Sequence, residues 1–445
     1  METTKYKYRL VARITLEAIS PLAVGSGDKD IITDAPVARD VNGMPYIPGP
    51  SLAGVIRHSL DDKPYAKELF GYQDGEKGQG SRLIISDALI VGEDGRAVDG
   101  LRDIFQSNYL KNFLTLPIRQ HVRINSKGSA KEHGKFDEEV VFAGTRFCFE
   151  MEMLAESENN STQMQDILQT LSAPTFRLGS GTRNGFGSMK PVRIQYAAYD
   201  LTKQKELEAY AAKSACINDD WKAPVKKDIQ VTCPKGWTKY VLRLKPCDFM
   251  LFSSGFGDDE ADITPVKEQH VIWNGMVPDM SEEYFLVPAT SVKGAVAHRT
   301  AYHWSRFNQL YADEGKAVEC EKNPAVIDIF GTDTETSEIK PKRGNAIFSD
   351  VMVKDTGEKV VYHIKVDKFT GGVQDGALFQ EKVANVQGRE IMEEILVDNK
   401  VFEKDPTVRE AFEKALQDIC NGLLCLGGGT NRGNGMFTGT LTKEE

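Results

Sequence analysis

The alternation of apolar and polar positions is written twice along the chain. Tyr6, Tyr8, Leu10, Ala12, Ile14 and Leu16 interleave with Lys5, Lys7, Arg9, Arg13 and Glu17, the period of two that marks a strand with one buried face. Tyr240, Leu242 and Leu244 interleave with Lys239, Arg243 and Lys245 in the same manner. A proline-led helix start follows each strand: Tyr46-Ile47-Pro48-Gly49-Pro50-Ser51-Leu52-Ala53-Gly54 and Phe285-Leu286-Val287-Pro288-Ala289-Thr290-Ser291-Val292-Lys293-Gly294. Leu52, Val55, Ile56 and Leu60 share one helical face, and the hydroxyls of Ser51 and Ser291 stand where they can accept first-turn N–H groups.

Three further landmarks keep the same order. Leu69-Phe70-Gly71 and Ile329-Phe330-Gly331 precede strands carrying Ile85-Ser86-Asp87 and Phe348-Ser349-Asp350. His121-Val122-Arg123-Ile124-Asn125 and His363-Ile364-Lys365-Val366-Asp367 each run into a Gly-, Lys- and acid-rich stretch without a packing period, which reads as a protruding loop or hairpin. A second amphipathic helix then leads to Leu178-Gly179-Ser180-Gly181-Thr182-Arg183-Asn184-Gly185-Phe186-Gly187, or to Leu426-Gly427-Gly428-Gly429-Thr430-Asn431-Arg432-Gly433-Asn434-Gly435. The recurrence predicts two modules, 1–198 and 237–445, joined by a polar connector, 199–236, whose Leu201 to Ile217 portion reads as helical. Each half alternates strand, helix, strands, helix and strand, which predicts an α+β chain of two tandem ferredoxin-like (RRM-like) sandwiches with insertions.

Charge narrows the chemistry. With 55 Lys and Arg against 65 Asp and Glu the formal net charge is −10, so any nucleic-acid site must be a local basic track. The acidic excess also serves solubility with no partner at all. Seven scattered cysteines, none in a C-x-x-C pair, fit reduced thiols and give no zinc knuckle. No long apolar run or signal-like start is present, so the expected location is cytoplasmic, away from membranes.

The glycine turns are spaced G-x-G-x-x-x-G and follow a helix, the reverse of a dinucleotide fingerprint. They are structural turns or close-approach loops whose amides, with Arg183 or Arg432, meet a phosphate backbone. Nucleophile elbows, Walker loops and H-E-x-x-H are missing from the sequence.

Ile32-Thr33-Asp34-Ala35-Pro36-Val37, followed by Ile47-Pro48-Gly49-Pro50-Ser51-Leu52-Ala53-Gly54-Val55-Ile56-Arg57, resembles the first region of type III CRISPR backbone subunits within the RAMP superfamily. The Gly179 to Gly187 turn resembles that family's C-terminal glycine-rich loop, and the resemblance covers both halves. It implies RAMP modules with thumb hairpins that hold guide RNA, wedge the guide–target duplex and assemble with other CRISPR effector subunits. It further implies metal-dependent cutting of target RNA, with Asp34 as catalytic residue and ligand of Mg2+ or Mn2+. RNA contacts are expected from Ser51, Arg57, Arg119, His121, Arg123, Gly179, Gly181 and Arg183, and from Ser291, Lys293, His363, Lys365, Gly427, Gly429 and Arg432.

Matching the Pro-Val pairs of the two halves puts Ile263 in the place of Asp34 and Asp262 one residue early, so Asp262 is the candidate for a second catalytic centre. Ala53 replaces a family lysine that Lys293 retains. Three rivals stay open: a scaffold that binds RNA without cutting, a metal-independent guide-processing endoribonuclease built on His121, and a soluble nucleotide-binding enzyme using the glycine turns.

Overall fold

The computed structural model describes residues 5–27, 33–60, 62–125, 128–157, 160–226, 233–311, 313, 315–316, 318–332 and 340–444. In the first half, β1 (Tyr8–Ala18) lies between β8 (Met189–Asp200) and β6 (Arg146–Ala155), both antiparallel to it. β2 (Leu83–Ile85) and β3 (Ala88–Ile90) pair with β6 farther out. Helices α1 (Gly49–Ser59) and α2 (Ser161–Leu171) cover one face, and Leu52, Ile56, Ile167 and Leu171 join Leu10, Ile14 and Leu16 in one core. Each fully buried Leu or Ile contributes about 1.5–3 kcal/mol of hydrophobic free energy.

The second half repeats this order. β9 (Trp237–Pro246) lies between β15 (Ile391–Asp398) and β16 (Phe437–Glu444), β12 (Ala346–Ser349) pairs with β15, and α4 (Ala289–Phe307) packs on α5 (Pro406–Cys420). Tyr240, Leu242, Val292, Phe348, Phe412 and Leu416 are among the residues of its own core. Both halves also carry an antiparallel hairpin, β4 (Ile118–Ile124) with β5 (Ala130–Glu139), and β13 (Glu358–His363) with β14 (Phe379–Ala384).

Neither serine caps its helix. Pro48 and Pro288 hold the cap positions with no side-chain acceptor, and Ser51 lies inside α1. The first N–H groups donate instead to aspartates that follow distant strands: Gly49 to Asp87 Oδ1 at 2.7 Å and Ala289 to Asp350 Oδ1 at 2.8 Å. This gives the repeated Ser-Asp landmark its purpose, because a carboxylate satisfies an orphan donor and meets the positive end of the helix dipole.

The connector lies across the outer face of the first sheet. Its helix α3 (Gln204–Ala211) is shorter than the expected span. Tyr210 Oη donates to Glu152 at 2.6 Å, Lys213 Nζ pairs with Glu150 at 2.6 Å, and Arg13 donates to the carbonyl of Asp219 at 2.6 Å. Strand positions that the alternation assigns to solvent are therefore covered by polar chain.

Two devices join the halves. A hairpin of the second half, β10 (Val271–Asn274) with β11 (Val277–Met280), reaches the first: Val271 enters the first core, Trp273 Nε1 donates to Gly144 O at 2.7 Å, and Arg146 stacks on the indole at 3.9 Å. In the other direction, β7 (Asn184–Gly185) of the first glycine turn adds a parallel strand to the edge of β12.

Candidate nucleic-acid interface

Asp34 sits in an exposed loop at the base of the first hairpin. Its backbone N–H donates to Asp137 Oδ1 at 2.9 Å, and the Asp137 N–H donates back to Asp34 Oδ2 at 3.3 Å. In the second half the Gln380 N–H donates to Asp262 Oδ2 at 2.8 Å, and the Asp262 N–H to the Gln380 carbonyl at 2.9 Å. Neighbouring bonds fix the equivalence. Glu139 N donates to Ala35 O as Lys382 N does to Ile263 O, and Ser26 N to Pro36 O as Ser254 N does to Thr264 O. Ile263 therefore matches Ala35, not Asp34, and Asp262 matches Asp34 with no offset. Aligning on Pro-Val misread the register by one place, because Pro36 corresponds to Thr264 and Val37 to Pro265.

The hairpins repeat in detail. His121 stacks on Phe136 with ring centroids 4.9 Å apart, and its Nε2 lies 3.1 Å from Glu138; His363 stacks on Phe379 at 4.6 Å, with Nε2 3.0 Å from Glu381. Neither pair is aligned for a hydrogen bond. Glu381 also receives Arg432 Nη2 at 2.6 Å and Asn434 Nδ2 at 3.3 Å. Burial raises the Glu381 carboxyl, but Arg432 and His363 outweigh it and hold it below the usual range. Arg432 thus ties the second hairpin to its glycine turn, His121 lies edge-on to Phe186 of the first turn at 6.2 Å, and His363 packs within its own hairpin. Arg123 lies on β4, and Lys365 is exposed beyond β13. Phe369 is 97% exposed near the second hairpin's tip.

The glycines have a geometric reason. Gly179 and Gly427 have φ of 81° and 90°, and an added Cβ would lie 2.2 Å from Ala23 O or 2.5 Å from Leu251 O. Amides of the turns are engaged within the protein: Ser180 N donates to Ala23 O at 2.7 Å and Gly428 N to Leu251 O at 2.6 Å. Gly181 and Gly429, also at positive φ, continue the two turns.

Arg119, expected among the RNA-facing cations, is buried. Its Nε and Nη2 donate to Glu268 at 2.5 and 2.7 Å, and its Nη1 to Asp350 at 2.6 Å, so the guanidinium ties the first hairpin to the second half. Two carboxylates outcompete any exposed phosphate for a cation already desolvated between them.

Where the first glycine turn meets the second half, a cavity of about 460 Å³ gathers Arg183, Lys293, Lys342 and Arg343. Lys293 Nζ donates to Asn184 Oδ1 at 2.9 Å and Arg183 Nε to Gly344 O at 3.0 Å. Burial, then Arg183 beside it, pushes the Lys293 amine down to about 8; burial, then Arg343 and Arg177, pushes Arg183 down to about 10. Lys342 pairs with Asp328, and Arg343 donates to Thr182 Oγ1 at 3.4 Å. A polyanion would relieve this concentration of positive charge. Sequence reasoning found Arg183 and Lys293 but missed Lys342 and Arg343, whose signal is the basic run Lys340 to Arg343 ahead of β12. Ser291 is half-buried in the first turn of α4, while Ser51 and Arg57 are exposed on α1.

Asp34 and Asp137 present adjacent hard oxygen donors. No group of three or more His, Cys, Asp or Glu that could hold a metal forms among the described residues, and Asp137 Oδ1 and Asp34 Oδ2 already accept backbone N–H groups. No described helix is long and apolar enough to cross a membrane.

Comparison with known proteins agrees with the duplication. The chain is 27% identical over 211 residues to the CRISPR system Cms endoribonuclease Csm3 of Methanocaldococcus jannaschii, covering 41% of this chain and 79% of that protein. The RAMP superfamily model matches twice, over residues 15–190 and 234–438, one match for each half of the repeat. Two matches that together span most of the sequence, on halves that seat Asp34 and Asp262 alike at the base of a hairpin, make this chain a member of the RAMP superfamily.

Proposed function

We propose that the chain is a double backbone subunit of a type III CRISPR ribonucleoprotein, which holds guide RNA along both halves and cuts complementary target RNA beside Asp34 and beside Asp262. The observation that carries this reading is the duplicated seat of the two aspartates, each bonded to the base of a projecting hairpin. The sheet orders β8-β1-β6-β3 and β16-β9-β15-β12 support a ferredoxin-like reading of each module. The hairpins, with Val122 and Ile124 exposed on one and Tyr362, Ile364 and Phe369 on the other, suit thumbs that wedge apolar side chains into a duplex.

Wedging supplies most of the chemistry. A nucleotide pushed out of helical stacking escapes the geometry that keeps its 2′-OH off line with the adjacent phosphorus, and orientation of this kind can supply about 7–11 kcal/mol of a barrier. Asp34 and Asp262, each at the base of a hairpin, would position a hydrated cation there or accept the 2′-OH proton as the 2′-oxygen displaces the 5′-oxygen from phosphorus. Bound Mg2+ or Mn2+ would supply charge neutralisation at the phosphate. Arg183, Lys293, Lys342 and Arg343 would track the guide backbone, while base pairing reads sequence.

The test is a complex assembled with guide RNA, the other effector subunits and complementary target. Asp34→Ala removes one cut and Asp262→Ala another, with target binding retained and all cutting lost in EDTA. Unchanged cleavage in both variants, or cleavage that persists in EDTA and vanishes with His121→Ala, would sink the reading.

A further inference from the structure

The joint between the halves has a receiving face and an inserting turn, and the repeat supplies each of them twice. In the joint, Asn184–Gly185 runs beside Phe348–Ser349, Lys293 donates to Asn184, Arg177 Nη2 donates to Ser349 Oγ at 3.2 Å, and Arg119 closes on Asp350. The repeat equivalents of Lys293, Phe348, Ser349 and Asp350 are Ala53, Ile85, Ser86 and Asp87. Gly49, Ala53, Phe70 and Ile85 line an open cavity of about 310 Å³ there. Among the described residues β2 pairs only with β6, which leaves its other edge open, and Ile84 is 56% exposed. Asp87 is exposed, whereas its counterpart Asp350 is buried under Arg119. The first half therefore carries the same receiving face, uncovered.

The chain's own second turn does not match it. Counting from the paired histidines, Arg119 corresponds to Val361; counting from the glycines, Arg177 corresponds to Cys425 and Arg183 to Asn431. Arg432 takes the place of Asn184 but is bound to Glu381 in its own half. With Ala53 in place of Lys293, a second copy docked head to tail would reproduce none of the joint's polar pairs. It would set the carboxylate of Asp87, held only by the Gly49 N–H, against Val361 with no cation, and burying a carboxylate without a counter-charge is strongly unfavourable.

We infer that the face around Gly49, Ile85 and Asp87 is a docking surface for the glycine-rich turn of a different RAMP-superfamily chain, one with arginines at the positions of Arg119 and Arg177, and that it rejects a second copy of this chain. The inference rests on family membership and the internal joint, and it holds whether or not the protein cuts RNA. Polar pairs here select partners more than they add affinity, because a mismatched partner strands a charge.

Sedimentation velocity on the full chain is expected to show a monomer at every concentration tested. A graft combining Ala53→Lys, Val361→Arg, Cys425→Arg and Asn431→Arg, checked for native circular dichroism, should form dimers and longer assemblies, and adding Asp87→Arg should return it to monomer. Independently of the graft, a labelled peptide of residues 174–188, carrying Arg177 and Arg183, should bind the wild-type chain at least about tenfold more tightly than it binds the Asp87→Arg variant. A peptide of residues 422–436 should show no such preference. Wild-type self-association abolished by Asp87→Arg overturns the inference, as does a folded graft that stays monomeric or a reversed ranking of the two peptides.

Discussion

The carboxylate of Asp262 accepts the Gln380 N–H at 2.8 Å, in the place where Asp34 accepts that of Asp137 at 3.3 Å. The two seats differ in one respect. Asp137 returns a side-chain acceptor to the Asp34 N–H, while Gln380 returns only its carbonyl.

That difference predicts unequal sensitivity. Asp137→Ala removes the acceptor that orients the Asp34 loop and should slow the first cut by about 10- to 100-fold, the scale on which small misplacements act. Asp137→Asn keeps an acceptor oxygen and should retain most of the rate. Gln380→Ala should leave the second cut unchanged, since only backbone is used there. Cut-resolved time courses on one labelled target give all three rates.

Arg119→Met should loosen the joint between the halves. It leaves Glu268 and Asp350 without their shared cation, and removing one partner from a buried ion network costs about 3–5 kcal/mol. Thermal unfolding should shift downward, and limited proteolysis should open the connector sooner. RNA affinity measured well below the transition should hold, in contrast with Lys342 and Arg343.

Lys342→Ala with Arg343→Ala should weaken RNA binding for every guide sequence alike. The slope of log affinity against log salt should shrink by about 0.7 for each single-strand phosphate that the protein no longer neutralises. Binding isotherms over a salt series measure it, and an unchanged slope would remove these residues from the RNA track.

Glu393 is buried on β15 with neither carboxylate oxygen hydrogen-bonded, and burial, with Asp350 adding, raises its carboxyl well above the ordinary 4.5. Between 4.5 and the raised value the folded state binds more protons than the unfolded chain, so this group's contribution is complete at low pH and is lost as pH rises. Glu393→Gln should therefore stabilise the protein near pH 7.5, by roughly 1–3 kcal/mol, and the gain should fade as pH approaches 4.5. Paired unfolding curves across that window test the sign.

Local periodicity carried much of this into the sequence. Alternation at Leu10 to Leu16, the helical face of Leu52 and Ile56, and the glycine spacings each reflect a constraint acting over a few residues, and the structure buries those side chains or bends the chain where they say. The repeat was legible because both halves meet the same local constraints in the same order. Partnerships set by distant chain were not legible. The helix cap comes from Asp87, 38 residues beyond Gly49, rather than from Ser51. Arg119 looks like a surface cation until Glu268, 149 residues away, encloses it. The register of Asp262 follows from ladder bonds to Ile263 and Thr264, which a shared Pro-Val pair cannot report. Side-chain pattern fixes which face of an element is apolar, whereas burial and the meeting of remote donors and acceptors decide which charges remain free for chemistry.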